Sequence, residues 1–397
     1  MLRRLPVRPS LQQLNHEAEE LRARTGAPLA DAQQALAREY EAPDWPRLEV
    51  ACELADAIWR DDADAVRRLV AAHPPLLHEQ TLIRKNSNWG PPLTYAANLG
   101  RDRIIEMLHG LGATDLDSAL DRAALQGQIE TARMLHRMLG APAPPADALE
   151  GPAYTLSATG TALMLELGAS VENAPVHVVL ETDSRKPAEK HAILEMYAQH
   201  GFALPDTPPM AVHRGRIDLL EAHLRRDPQL LNRTFTHEEI YPPDLGCHDE
   251  ILATHGTPLK GATLLHLCAD YDELELARWL LERGMHADAK AAVDADGFGG
   301  HTALFATVVS QPNFWINYQQ RPDEAPFTRL LLGAGADLNV RASLRKQLHP
   351  GYGEDTLHEY RDVTPLEWGE RFHNQIFVSR EAMRLIGEKQ NGAPKRR

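Results

Sequence analysis

Two stretches of this chain share one pattern: PPLTYAANLGRDRIIEMLHGLGATD (91–115) and TLLHLCADYDELELARWLLERGMHAD (263–288). Each gives a short helix opening on apolar and small residues, a turn, a second helix with apolar residues at i, i+3 and i+4, and then Gly. SALDRAALQGQIETARMLHRMLGA (118–141) repeats the pattern, TALF (302–305) leads on to TRLLLGAGADLNVRA (328–342), and TPLEWGERFHNQIFVSREAMRLI (364–386) supplies another copy. One such unit cannot bury its apolar face alone, so the copies must stack. This recurrence predicts one continuous layered core rather than separate globular domains.

Worn copies fill most of the remainder: 54–77, 152–172, 175–202 and 208–232, for roughly nine in all. Each recurring position has a physical task. Thr263, Thr302 and Thr364 stand where a hydroxyl can cap a helix. Gly100 and Gly127 suit the turn between helices, and Gly112, Gly284 and Gly335 suit the left-handed stop after the second one. Ala96, Ala97, Ala123 and Ala124 let paired helices approach closely.

The combination of Thr-Pro-Leu-His-x-Ala, a Gly turn and a Leu-Leu-x-x-Gly-Ala-Asp ending resembles the ankyrin repeat family. The resemblance implies an all-α ankyrin-repeat solenoid with short hairpin fingers between repeats. In that family His266 would bridge backbone groups, and the array would bind a protein on its concave groove. The first 48 residues, with SLQQLNHEAEELRART and PLADAQQALAREY, resemble the helical leader of bacterial ankyrin-containing proteins. They read as a helical cap on the open end of the stack. The expected organisation is a cap at 1–48, degenerate repeats at 49–232, a long insertion at 233–262, C-terminal repeats at 263–387 and a polar tail at 388–397.

Composition narrows the function classes. The chain is 43% hydrophobic and 25% charged, as expected of an ordered protein, with a net charge of −14. An acidic excess argues against nucleic acid as the ligand and favours steering of a partner with a basic patch. The basic runs MLRR and PKRR at the termini read as solvated ends. Cys52, Cys247 and Cys268 are few and scattered, which fits free thiols in a reducing compartment. With no long apolar run and no secretion signal, the expectation is a monomeric cytoplasmic protein without membrane association.

What is specific to this chain should lie in three insertions: 233–262, 310–326 between the two helices of one repeat, and 341–362 before the last repeat. Their aromatic content (Tyr241, Phe314, Trp315, Tyr318, Tyr352 and Tyr360) favours order. Within the first, THEEIYPPDLGCHDEILATHG (236–256) holds three His, one Cys, five acidic residues and a Tyr in 21 positions. Zinc ligation needs paired ligands at short fixed spacing. Cys247 and His248 are adjacent, Tyr241 stands where a zincin-type helix needs its second His, and Pro242 and Pro243 would break that helix. The stretch reads as a partner-contacting or solvated loop, with no metal or cofactor. DGFGGH (296–301) lacks dinucleotide-binding spacing and reads as a hairpin tip. Cys268 reads as a buried thiol.

The candidate partner-binding residues are Tyr241, His248, Asp270, Tyr271, His301, Trp315, Tyr318, His358, Tyr360 and Arg371. Arg361, Glu367, Glu370 and His373 lie close to the same groove positions. Trp and Tyr would anchor a protein or peptide, and Arg would add directional bonds. The rival reading is an enzyme on an ankyrin frame, in which His301, His358 and Asp270 perform acid–base chemistry on a small molecule. An enclosed pocket lined by His301, Trp315 and His358 would favour the enzyme; an open groove would favour the binding module.

Overall fold

In the computed structural model, described for residues 3–84, 87–248, 256–348 and 356–392, the chain divides into two compact units. One comprises 1–152 with 159–169, and the other 153–158 with 170–397. His255, Tyr352 and the end of the tail lie outside the described residues.

The first unit opens with α1 (Leu11–Thr25), α2 (Leu29–Glu39) and α3 (Trp45–Trp59). Ser10 caps α1 by accepting from the Gln13 N–H, and Gly26 closes it in the left-handed conformation. Leu14, Ala18, Leu36 and Ala37 bury together with Trp45, Leu48 and Cys52, so α1 and α2 cover one flank of α3. The helix pairs follow: α4 (Ala63–Ala72), α5 (Pro92–Asn98), α6 (Asp102–Gly110), α7 (Leu116–Leu125) and α8 (Ile129–Met138). First helices α3, α5 and α7 stack in a row, and α4 packs on α6 behind them. The close approach rests on Ala96, Ala97, Ala123 and Ala124, all buried. The unit boundary runs through α9 (Glu150–Thr155) and α10 (Ala158–Glu166).

The second unit contains α11 (Val176–Glu181), α12 (Pro187–Gln199), α13 (Pro208–His213), α14 (Ile217–Arg226) and the single-turn α15 (His237–Ile240). Next come α16 (Leu264–Tyr271), α17 (Leu274–Glu282), α18 (Ala303–Val308), α19 (Gln311–Tyr318) and α20 (Pro326–Gly333). Strands β1 (Ala342–Lys346) and β2 (His358–Val363) precede α21 (Pro365–Arg371) and α22 (Arg380–Gly392). Again the first helices α13, α16, α18 and α21 form one row, and the second helices α17, α20 and α22 form another.

The described parts of the insertions contain regular elements. Segment 310–326 contains α19, started by Pro312 in its first turn. It packs on α16 and on the 375–377 turn, while α18 still meets α20 as a repeat pair. Segment 341–362 contributes an antiparallel pair, with Leu344 opposite Tyr360 and Lys346 opposite His358. The 291–301 segment is a hairpin finger, as DGFGGH suggested: Ala291 N–H donates to His301 O at 2.8 Å, and Asp294 N–H to Phe298 O at 2.8 Å. Thr263 and Thr364 cap their helices, whereas the buried Thr302 hydroxyl makes no capping bond. Among the described residues no helix is long and apolar enough to cross a membrane.

Candidate functional site

Within the second unit, three fingers and a strand line a half-open cavity of about 770 Å³. Its walls are Thr234–Tyr241 with Cys247 and His248, Pro258 to Gly261, the 292–301 hairpin, and β1 at Ser343–Arg345. Each wall is fixed from below. Phe235 pairs with Ala262 across the base of the first finger (N–H to O, 2.8 Å). A Thr236–Glu239 capping box starts α15. The hairpin is tied to β1 by the Gly299 N–H donating to Ser343 O at 2.7 Å. Arg345 on β1 adds ion pairs to Asp294 (2.7 Å) and Asp296 (3.0 Å), and Phe298 lies between the guanidinium groups of Arg345 and Arg361, at 4.7 and 4.3 Å.

Three of the sequence-derived candidates meet here. Tyr241, His248 and His301 all line the cavity. His301 is buried and gives its Nε2 proton to Pro258 O at 3.0 Å. Burial holds its imidazole down to about 4, so the ring is neutral. His248 is exposed at the rim, its Nδ1 2.7 Å from Glu181. Burial pushes the neighbouring Cys247 thiol up to about 12, which removes thiolate chemistry at neutral pH.

Asp270 and Tyr271, expected on the groove surface, face inward instead. Arg185 and Asp270 form a salt bridge of 3.1 Å with both side chains buried, and the guanidinium lies 4.4 Å over the Tyr271 ring. Lys190 pairs with Glu273 at 3.1 Å and sits 4.0 Å over the same ring. His191 also reaches Glu273, at 2.8 Å. Tyr241 donates its hydroxyl to Tyr271 at 2.6 Å, and Tyr271 in turn donates to Leu180 O. His213 packs edge-on against Tyr271. Desolvation raises Asp270 against the opposing pull of Arg185, and lowers Lys190 against that of Glu273. Tyr241 joins this buried lattice through its hydroxyl on Tyr271 and its ring against His213.

The remaining candidates sit elsewhere. Trp315 donates its indole N–H to Asp183 O at 2.6 Å, and Tyr318 stacks on Phe314 with 64% of its surface exposed. His358 stacks on His373 at 3.8 Å, and the Tyr360 hydroxyl meets His373 Nδ1 at 2.6 Å. Arg371 is exposed at the end of α21. The cavity wall therefore includes His301 but neither Trp315 nor His358. His301, His358 and Asp270 are each committed to a different partner. Among the described residues no three His, Cys, Asp or Glu side chains are grouped to hold a metal.

Sequence reasoning missed Arg185, Lys190 and Glu273, and it missed His237 and Phe298 in the cavity. For Lys190 the signal was present: with Ile193, Leu194 and Tyr197 it falls at i, i+3, i+4 and i+7 on the buried face of α12. For Phe298 there was none, because a hairpin tip has no period.

Rows of paired antiparallel helices with hairpin fingers between them define an α-solenoid built from two-helix repeats. His266 carries the mark of one repeat type: its Nδ1 takes the Thr263 N–H at 3.3 Å, and its Nε2 bridges to His301 O at 3.0 Å. The ankyrin repeat model matches residues 260–294, so that segment is an ankyrin repeat. Similar solved structures include the human ASB11 ankyrin repeat domain (18% identity, TM-score 0.27, covering 74% of this chain and 97% of that one). They also include the ankyrin repeat domain of Bcl-3 (17% identity, TM-score 0.21, covering 84% and 97%). No curated protein matches the sequence.

Proposed function

We propose that the second unit grips a protein or peptide partner with its fingers, and that the cavity between them is the central contact. The observation that carries this reading is the cavity itself. It is mainly apolar in lining, yet it is rimmed by Glu238, His248 and Lys260. Such a centre and rim are the anatomy of a recognition site. Tyr241, His248 and His301 belong to it directly; Trp315, Tyr318, His358, Tyr360 and Arg371 would extend it for a larger partner. The net charge of −14 favours a partner with a basic patch, drawn in by long-range attraction.

The test is selection of displayed random peptides on the full chain, with Val293→Arg as the counter-screen. Val293 lines the cavity with 62% of its surface exposed, so an Arg there blocks the mouth without disturbing the core. Peptides that enrich on the native protein and are lost on the variant support the reading. A library with no such peptides overturns it.

A further inference from the structure

The cavity does not end at the first finger. A second concavity of about 530 Å³ adjoins it, and Phe235 and Glu238 belong to the walls of both. Phe235 is buried and held by its N–H on Ala262 O at 2.8 Å. Glu238 is exposed in the first turn of α15. A chain lying over Glu238 therefore reaches both spaces.

The two spaces differ in chemistry. In the first, Phe298, Pro258, Val293 and Leu344 supply apolar surface, and Arg345 is balanced by Asp294 and Asp296. The second is walled by Pro205, Pro208, Pro209 and Pro242, and five carboxylates line it against two guanidinium groups. Three of those carboxylates are committed. Asp206 pairs with Arg226 (3.3 Å) and His223 (3.0 Å), Glu239 pairs with Arg233 (2.5 Å), and Asp227 accepts the Gln229 N–H at 2.9 Å. Glu238 and Asp244 are exposed and form no ion pair among the described residues. Their charge is the local excess. A ligand anion would be repelled by it, and a bare cation would leave the prolines uncovered. A cation on a long apolar stem meets both demands, since the stem covers proline while the charge stays at the wet rim.

We propose that the two spaces read a two-residue pattern in one peptide. A bulky apolar side chain enters the first, and an arginine or lysine lies along the prolines of the second with its charge at Glu238 and Asp244. This rests on the peptide-binding reading above and deepens it by naming the second contact and its charge.

The experiment takes peptides selected on the full chain and replaces each arginine by citrulline and each lysine by N-acetyl-lysine. Affinities are measured on the native protein and on Glu238→Gln/Asp244→Asn. Asp64→Asn/Glu130→Gln is the control, because it removes two carboxylates of the first unit whose side chains are 81% and 79% exposed. The expected result is a basic residue at one fixed spacing from the apolar residue that Val293→Arg excludes. Neutralising either side should cost about fivefold, and neutralising both should cost no more. The control should bind like the native protein. The peptide analogues are read on the native chain, so that arm stands even if the variant folds poorly. Peptides that enrich without a basic residue, or that tolerate its neutral analogue, overturn the second contact and leave the peptide reading intact. An equal loss on the control overturns it too, by reducing the effect to long-range attraction. If no peptide enriches, the peptide reading falls and takes this inference with it.

Discussion

Lys190 lies on the same face of α12 as Ile193, Leu194 and Tyr197, and it is as inaccessible as they are. Its charge is tolerable only because Glu273 stands 3.1 Å away and the Tyr271 ring covers it. Lys190→Ala should destabilise the second unit by about 3–5 kcal/mol, because it takes the buried ammonium away from Glu273 and leaves that carboxylate with His191 alone. Adding Glu273→Gln to Lys190→Met should return most of that loss. Urea unfolding checks both, and a Lys190→Ala cost below about 1 kcal/mol would show the pair to be solvated. Tyr241→Phe is milder. It removes the hydroxyl given to Tyr271 but leaves Tyr271 bonded to Leu180, so a loss of about 1 kcal/mol is expected by the same measurement.

At the level of elements, the helix pairs were legible because apolar spacing, small residues and a stop glycine agree with one another at each copy. Thr263 and His266 could be placed from sequence for the same reason. The contents of the insertions could not. In β1 the side chains alternate between buried and half-buried over only five residues, too short a run to separate strand from loop. The inward turn of Asp270 and Tyr271 depends on Arg185, which is 85 residues away in sequence. The hairpin finger offers a direct contrast between two glycines. A Cβ on Gly299, at φ +120°, would stand 2.0 Å from Ala292 O, whereas one on Gly297, at φ +83°, would meet nothing. Gly297→Ala should therefore cost about 1–2 kcal/mol of backbone strain alone. Gly299→Ala should displace the finger, break its bond to Ser343 and abolish binding at the cavity. Amide spectra of 291–301 check this, and equal spectra for the two variants would count against the close approach.

For the whole molecule, acid is the sharpest probe. Burial lowers His266 to about 3 and His301 to about 4, from 6.5. Depressed folded values mean that the unfolded chain takes up these protons first. The stabilisation is therefore complete above pH 6.5 and is lost as pH falls toward 4. The slope is about 1.4 kcal/mol per pH unit for each imidazole. Calorimetric scans should show the second unit's transition dropping steeply in that window, and a flat midpoint between pH 6.5 and 4.5 would show that the rings protonate without penalty.

The ion pairs Arg185–Asp270 and Lys190–Glu273 also restrict how this array can change in length. Gain or loss of one unit is the simplest rearrangement open to a stack of similar repeats, because each touches only its neighbours. Here the basic members lie before α13 and α14, and the acidic members after them. Splicing a unit in or out between residues 190 and 270 would separate four buried charges from their matches. The outer repeats can be exchanged or duplicated at modest cost, but this junction has a fixed reading order, and the fingers that form the cavity inherit it.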